Sequence, residues 1–121
     1  MEIKIFNKLI YCQVIKMGED LQVCVYGGNQ SHIGSVVMAI PYQKNEQVYA
    51  TCSTITLPIH KDDLVAKMFA SRLSREMKTT VCCSCGIHYD QATKEQLDEI
   101  VAGCKELLEM VVKKLKESSD E

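Results

Sequence analysis

The residues of this chain whose types and spacing could do chemistry are its three histidines, its glycines and its seven cysteines. His32 follows Gly27-Gly28 and precedes Gly34, His60 stands beside Lys61, and His88 follows Gly86 and precedes Asp90. Imidazole can ligate a metal, move a proton, or titrate against an anion near neutral pH. Glycine allows a backbone to approach a ligand closely, and Lys61 would add a cation. Three histidines on one site could hold a catalytic divalent metal with an open position, oriented from behind by carboxylates such as Asp62, Asp63 and Asp90. They could instead orient an anionic ligand bound at helix N-termini, whose unpaired N–H groups favour phosphate. A histidine at a junction is often only a cap or a surface residue, so the chemistry depends on whether the three share one place.

The cysteines read differently. Cys83, Cys85 and His88 have loosely acceptable zinc spacing, but no second ligand pair follows, and on a strand Cys82 and Cys83 point to opposite faces. Cys12, Cys24, Cys52, Cys82 and Cys104 fall inside apolar runs, where a thiol serves as a small hydrophobe. Cys85 with His88 or His60 could form a nucleophilic pair, yet no recognisable nucleophile turn surrounds it. No P-loop, dinucleotide-binding glycine fingerprint or glycosidase-like carboxylate pair is present.

The elements that must position these residues change period midway. Glu2 to Phe6 alternates as a strand, and Asn7 offers a break before the β-branched and aromatic run Leu9 to Lys16. Leu21 to Tyr26, Ile33 to Ile40 and Gln47 to Leu57 read as further strands. Gly27-Gly28, Pro41 and Pro58 interrupt or stop them, and Gln43 to Glu46 makes a hairpin loop. Leu64, Val65, Met68, Phe69, Leu73 and Met77 then form a helical stripe between Lys61 and Lys78. Thr79 to Cys85 is a short strand. Thr93 with Gln96 three residues on is a capping box opening a last helix, whose face runs from Leu97 to Leu115. The methionines read mainly as core. Tyr26, Tyr42, Tyr49 and Tyr89 lie near strand ends, where a ring can stack on a planar ligand or sit half-buried in the sheet.

The order β-β-β-β-α-β-α predicts an α+β two-layer sandwich. About five strands form a mainly antiparallel sheet, the first four as a meander, with two helices on one face. Residues 1–121 form one domain, with 116–121 a charged, Ser-rich tail. The sheet direction makes a prediction about the site. The third strand starts where the second ends, the fourth returns to that end, and a helical crossover makes the fifth strand parallel to the fourth. His32, His60 and His88 therefore arrive at one end of the sheet, together with both helix N-termini.

Composition sets limits. A net charge of -2 leaves no electrostatic footprint for nucleic acid. No apolar run approaches the ~20 residues of a membrane span, and Met1-Glu2-Ile3-Lys4 does not open a signal peptide. A cytoplasmic protein with reduced thiols is the expectation.

The blocks Gly27-Gly28…His32-Ile33-Gly34, His60-Lys61-Asp62-Asp63-Leu64 and Gly86-Ile87-His88-Tyr89-Asp90, with Ala92-Thr93 before the last helix, resemble the small D-subunit family of gallate-type decarboxylases, described as prenylated-flavin-chaperone-like. The resemblance spans roughly Leu21 to Ile100; the N-terminal strands and the cysteine-rich strand lie outside its pattern. It implies a non-enzymatic accessory subunit or chaperone beside a prenylated-flavin-dependent decarboxylase, binding, delivering or maturing its cofactor. The ligand would be prenylated FMN or FMN, and the partners a large decarboxylase subunit or a flavin prenyltransferase system, with a homo-oligomer also open. The matching site positions are Gly28, His32, Gly34, His60, Lys61, Gly86, His88 and Asp90, with Gly27 beside them. A small metalloenzyme built on the histidines and a pure protein-assembly factor are the alternatives. Retained flavin, stoichiometric metal, or neither would separate the three.

Overall fold

A computed structural model describes residues 1–57 and 62–119. The chain forms β1 (Glu2–Ile5), β2 (Lys8–Met17), β3 (Asp20–Gly28), β4 (Ser35–Lys44), β5 (Gln47–Thr56), α1 (Asp63–Met77), β6 (Val81–His88) and α2 (Lys94–Ser119). The fold is α+β, with one sheet of six strands. The break near Asn7 is a real turn: Phe6 and Asn7 both take positive φ, at 51° and 63°. Asn45 and Glu46 do the same at 52° and 67° between β4 and β5. Paired positive φ at a two-residue connection suits the right-handed twist of a hairpin.

The sheet order is β1-β2-β3-β6-β4-β5. The first three strands are the expected meander, but β3 and β4 are not neighbours. β6 enters between them, parallel to β3 and antiparallel to β4. The physical reason lies in the sequence of β6, VCCSCGIH, which has no Asp, Glu, Lys or Arg and suits a central position. Because β4 is antiparallel to both β5 and β6, the crossover through α1 joins parallel strands, as the direction argument requires.

Two expected breaks are not breaks. β3 continues through Gly27 and Gly28, which pair alongside Ile87 and His88 of β6. β4 continues through Pro41 to Lys44 because β6 covers it only from Ser35 to Ala39. Beyond that point Pro41 pairs with β5 alone, so its missing N–H leaves no ladder bond unmade.

Both helices pack on one face, α1 across β4, β5 and β6, and α2 across β1 and β2. The core is the inward alternation of the strands (Val23 and Val25 on β3, Val37 and Ala39 on β4, Val81 and Cys83 on β6) against Phe69 and Leu73 of α1 and Cys104 and Leu107 of α2. The stripe of α1 is rotated from the one its large residues suggest. Ala66, Ala70 and Ser74 are buried, while Leu64 is 58% exposed. Small residues let the helix lie close to the sheet, so the contact follows them and not Leu64.

The methionines divide as well. Met68 and Met77 pack on the core, but Met38 and Met110 are exposed. α2 begins with the capping box: the Thr93 amide donates to Gln96 Oε1 at 2.8 Å and the Gln96 amide to Thr93 Oγ1 at 3.1 Å. It then runs through residues 116–119, which composition reads as tail; Lys116 pairs there with Glu76 of α1. Among the described residues no helix is long and apolar enough to cross a membrane.

Candidate functional site

The parallel pairing of β3 with β6 and the antiparallel pairing of β4 with both neighbours bring three junctions to one end of the sheet. The loop from β3 to β4 carries His32, the start of α1 carries Asp62, and the end of β6 carries His88. Backbone bonds tie them. The Gly34 amide donates to the Cys85 carbonyl at 2.9 Å, the Leu57 amide to the Gly34 carbonyl at 2.9 Å, and the Asn29 amide to the His88 carbonyl at 2.6 Å.

Asp62 is the hub. It is the N-cap residue of α1, and its carbonyl accepts from the Ala66 amide at 3.0 Å. Its carboxylate is not used on its own helix. Oδ1 accepts the Ile87 amide at 3.1 Å, and Oδ2 lies 3.2 Å from His32 Nε2. Asp62 is 7% exposed, and its carboxylate lies inside the fold bonded to the Ile87 amide and beside the His32 imidazole. The other ring nitrogen of His32, Nδ1, faces the Gln30 carbonyl oxygen at 3.5 Å. From sequence, Asp62 reads as no more than a supporting carboxylate. Its signal was only that of an acidic residue preceding an apolar helical stripe.

The glycines of the site make room for protein. A Cβ at Gly86 would overlap the backbone carbonyl of His32, and one at Gly34 would overlap the Asp62 carboxylate. A Cβ at Gly28, where φ is +80°, would overlap the His88 carbonyl, and one at Gly27 would overlap that of Leu9. At these positions glycine lets the three junctions close on one another. His88 Nε2 sits 3.0 Å from Asp90 Oδ1, and the Asp90 amide donates to Asn29 Oδ1 at 3.1 Å. Tyr89 donates its hydroxyl to the Ile5 carbonyl at 2.8 Å and meets Phe6 edge-on, fastening this end to the first hairpin. His60 and Lys61 lie outside the described residues.

Two of the hollows at this end are bordered by the described histidines. One lies between the starts of the two helices, about 340 Å³, with His88, Asp62 and Tyr89 beside Leu64, Leu97 and Val101. The other, about 420 Å³, is bordered by His32 with Tyr26, Ser31, Ile33 and Ser84. The two described histidines therefore reach the same end of the sheet but border different hollows, and Asp62 contacts His32 while lining the hollow of His88. Among the described residues no group of three or more His, Cys, Asp or Glu is placed to hold a metal.

The cysteine-rich strand is core. Cys83 and Cys85 are buried and Cys82 is half-buried on the opposite face. Burial pushes the Cys83 and Cys85 thiols well up, with neighbouring thiols adding to it, which disfavours a thiolate nucleophile at either position.

Residues 6–116 match the family described as prenylated flavin chaperone LpdD-like domain, a stretch that takes in β2 and the cysteine-rich β6 as well as the three histidine blocks. Protein LpdD of Lactiplantibacillus plantarum is 30% identical over 86 residues, 67% of this chain and 58% of that protein. The chain thus spans less than two thirds of that relative's length. On the match over most of its length, the chain belongs to the prenylated flavin chaperone LpdD-like family.

Proposed function

We propose that this protein is a cytoplasmic, non-enzymatic chaperone that holds a prenylated FMN or FMN ligand at the His-bearing end of the sheet and passes it to a decarboxylase partner. The observation that carries the reading is the hollow between the helix starts. Its volume of about 340 Å³ lies within the ~300–1,000 Å³ range of small-molecule sites. Leu64, Leu97, Ile100 and Val101 offer an apolar wall for a flavin ring and its prenyl group, and His88 and Tyr89 offer polar and aromatic edges. The Asp62 and Asp98 carboxylates also line it, which disfavours a phosphate deep inside. The phosphate is better served at the mouth, near the start of α1, where the Asp62 side chain leaves the first helical N–H groups uncapped and Lys61 precedes it in sequence. Gly27, Gly28, Gly34, Gly86 and Asp90 act through the residues they position, and His32 through Asp62. No step of chemistry is asked of the chain: it would bind, shield and release.

Flavin fluorescence titration tests this. Wild type should bind FMN or prenylated FMN saturably, and Val101→Trp, which fills the hollow, should weaken binding at least tenfold while the far-ultraviolet circular dichroism stays unchanged. Equal binding by both would contradict the reading.

A further inference from the structure

The helices cover one face of the sheet, and among the described residues nothing covers the other. Its outward residues include Ile15 and Met17 on β2, Met38 and Ile40 on β4, and Ile55 on β5, which are 57%, 64%, 46%, 48% and 75% exposed. Register places Tyr11 beside Tyr26 and Tyr42 beside Tyr49 on the same face, stacked with ring centroids 5.3 and 5.5 Å apart. Charge is confined to the rim: Glu2 and Lys4 on the edge strand β1, Asp20 where β3 begins, and Lys44 where β4 ends. The interior carries only neutral side chains such as Gln13, Cys24, Cys82 and Ser84.

We infer that this face packs against the same face of a second copy of the chain. Three observations select that occupant. The first is area. Six strands about 4.8 Å apart, several of ten residues, present a plan of roughly 25 by 30 Å, on the order of 750 Å². A standard interface buries about 800 Å² on each partner.

The second is charge. An uncharged centre brings no like charges together when a surface meets its own copy, and depletion of charge with enrichment of Tyr and Met marks the core of an interface. The third is permanence. Bare apolar surface well beyond a few hundred Å² invites aggregation whenever its partner is absent. A second copy is available wherever the chain itself is made, whereas a client enzyme is met only in passing. Stacked sheets about 10 Å apart would give a four-layer helix–sheet–sheet–helix dimer, and the hollow beside His32 would lie within it.

Sedimentation equilibrium on the intact chain tests this independently of any flavin. Wild type should sediment at twice 13.6 kDa at micromolar concentration. The double variant Ile15→Glu/Met38→Glu should sediment at 13.6 kDa, weakened at least a hundredfold, with unchanged circular dichroism. Met110→Glu, on α2, should remain a dimer. A wild-type monomer at 100 times that concentration, or a folded double variant that stays dimeric, would overturn the proposal. Should the double variant unfold, maleimide labelling of wild-type Cys24 and Cys82 decides: labelling should quicken on dilution through dissociation, and a rate independent of concentration would contradict the interface.

Discussion

His32 Nε2 lies 3.2 Å from Asp62 Oδ2, and through that contact a loop residue between β3 and β4 is joined to the first residue of the α1 cap. The other oxygen of the same carboxylate holds the Ile87 amide, so one buried side chain connects three segments that are far apart in sequence. Removing it should loosen the whole end of the sheet. Asp62→Ala leaves the Ile87 amide without its acceptor and should cost about 1–3 kcal/mol in urea denaturation. Asp62→Asn keeps an acceptor oxygen and should cost less. Equal losses would mean that the hydrogen bond to Ile87 is not what the carboxylate supplies.

Gly86 and Gly34 are set by packing. Gly86→Ala must push the His32 backbone aside, and Gly34→Ala must push the Asp62 carboxylate. A backbone yields less readily than a side chain, so Gly86→Ala should lower the melting temperature more. Losses of about 1–3 kcal/mol or greater are the scale for overpacking. Gly18, whose added Cβ would meet nothing, should cost little through contacts, although its φ of +65° favours glycine.

Burial pushes the Cys12 and Cys104 thiols up to about 12, from an ordinary value of 9.0. Below pH 9 both folded and unfolded chains keep these protons, and the stability they allow is fully present. Between pH 9 and about 12 the unfolded chain loses protons that the folded one retains. Stability should therefore fall as pH rises, by up to about 1.4 kcal/mol per pH unit for each such thiol. Urea titrations at pH 7, 9 and 10 measure it. Replacing Cys104 by Ala should flatten the slope, at the separate expense of a small cavity.

At the far end of the helices, Arg72 donates to Glu76 at 2.9 Å and to Glu109 of α2 at 2.6 Å, and Lys116 reaches Glu76. Lys116 first and Arg72 second hold the Glu76 carboxyl below its ordinary value of 4.5. That contribution is present above pH 4.5 and lost as pH falls through the lowered value. The groups are partly exposed, so Glu76→Gln should cost less than about 1 kcal/mol at pH 7 and nothing further at pH 2.

The amino-acid pattern carried the elements well where one periodicity dominated. The alternation of β2 and β3, the capping box at Thr93 and the long stripe of α2 were all readable. Strand order was not, because placing β6 between β3 and β4 is a choice between sheets with the same local patterns, decided by how much of VCCSCG must be buried. Pro41 misled because its cost depends on whether a neighbour lies on its N–H side, which only the register shows. That His32 and His88 lie at one end of the sheet was legible from strand direction alone, while His60 falls outside the described residues. The division of His32 and His88 between two hollows was not, since it depends on where Asp62 turns its carboxylate.

The most direct test of the proposed flavin site is a two-dimensional amide NMR titration of the wild-type chain with FMN. Saturable shifts should concentrate at Leu64, Val65, His88, Tyr89, Leu97 and Val101, with β5 and the last turns of α2 unmoved. Shifts spread over the bare sheet face, or none at millimolar FMN and prenylated FMN alike, would contradict it.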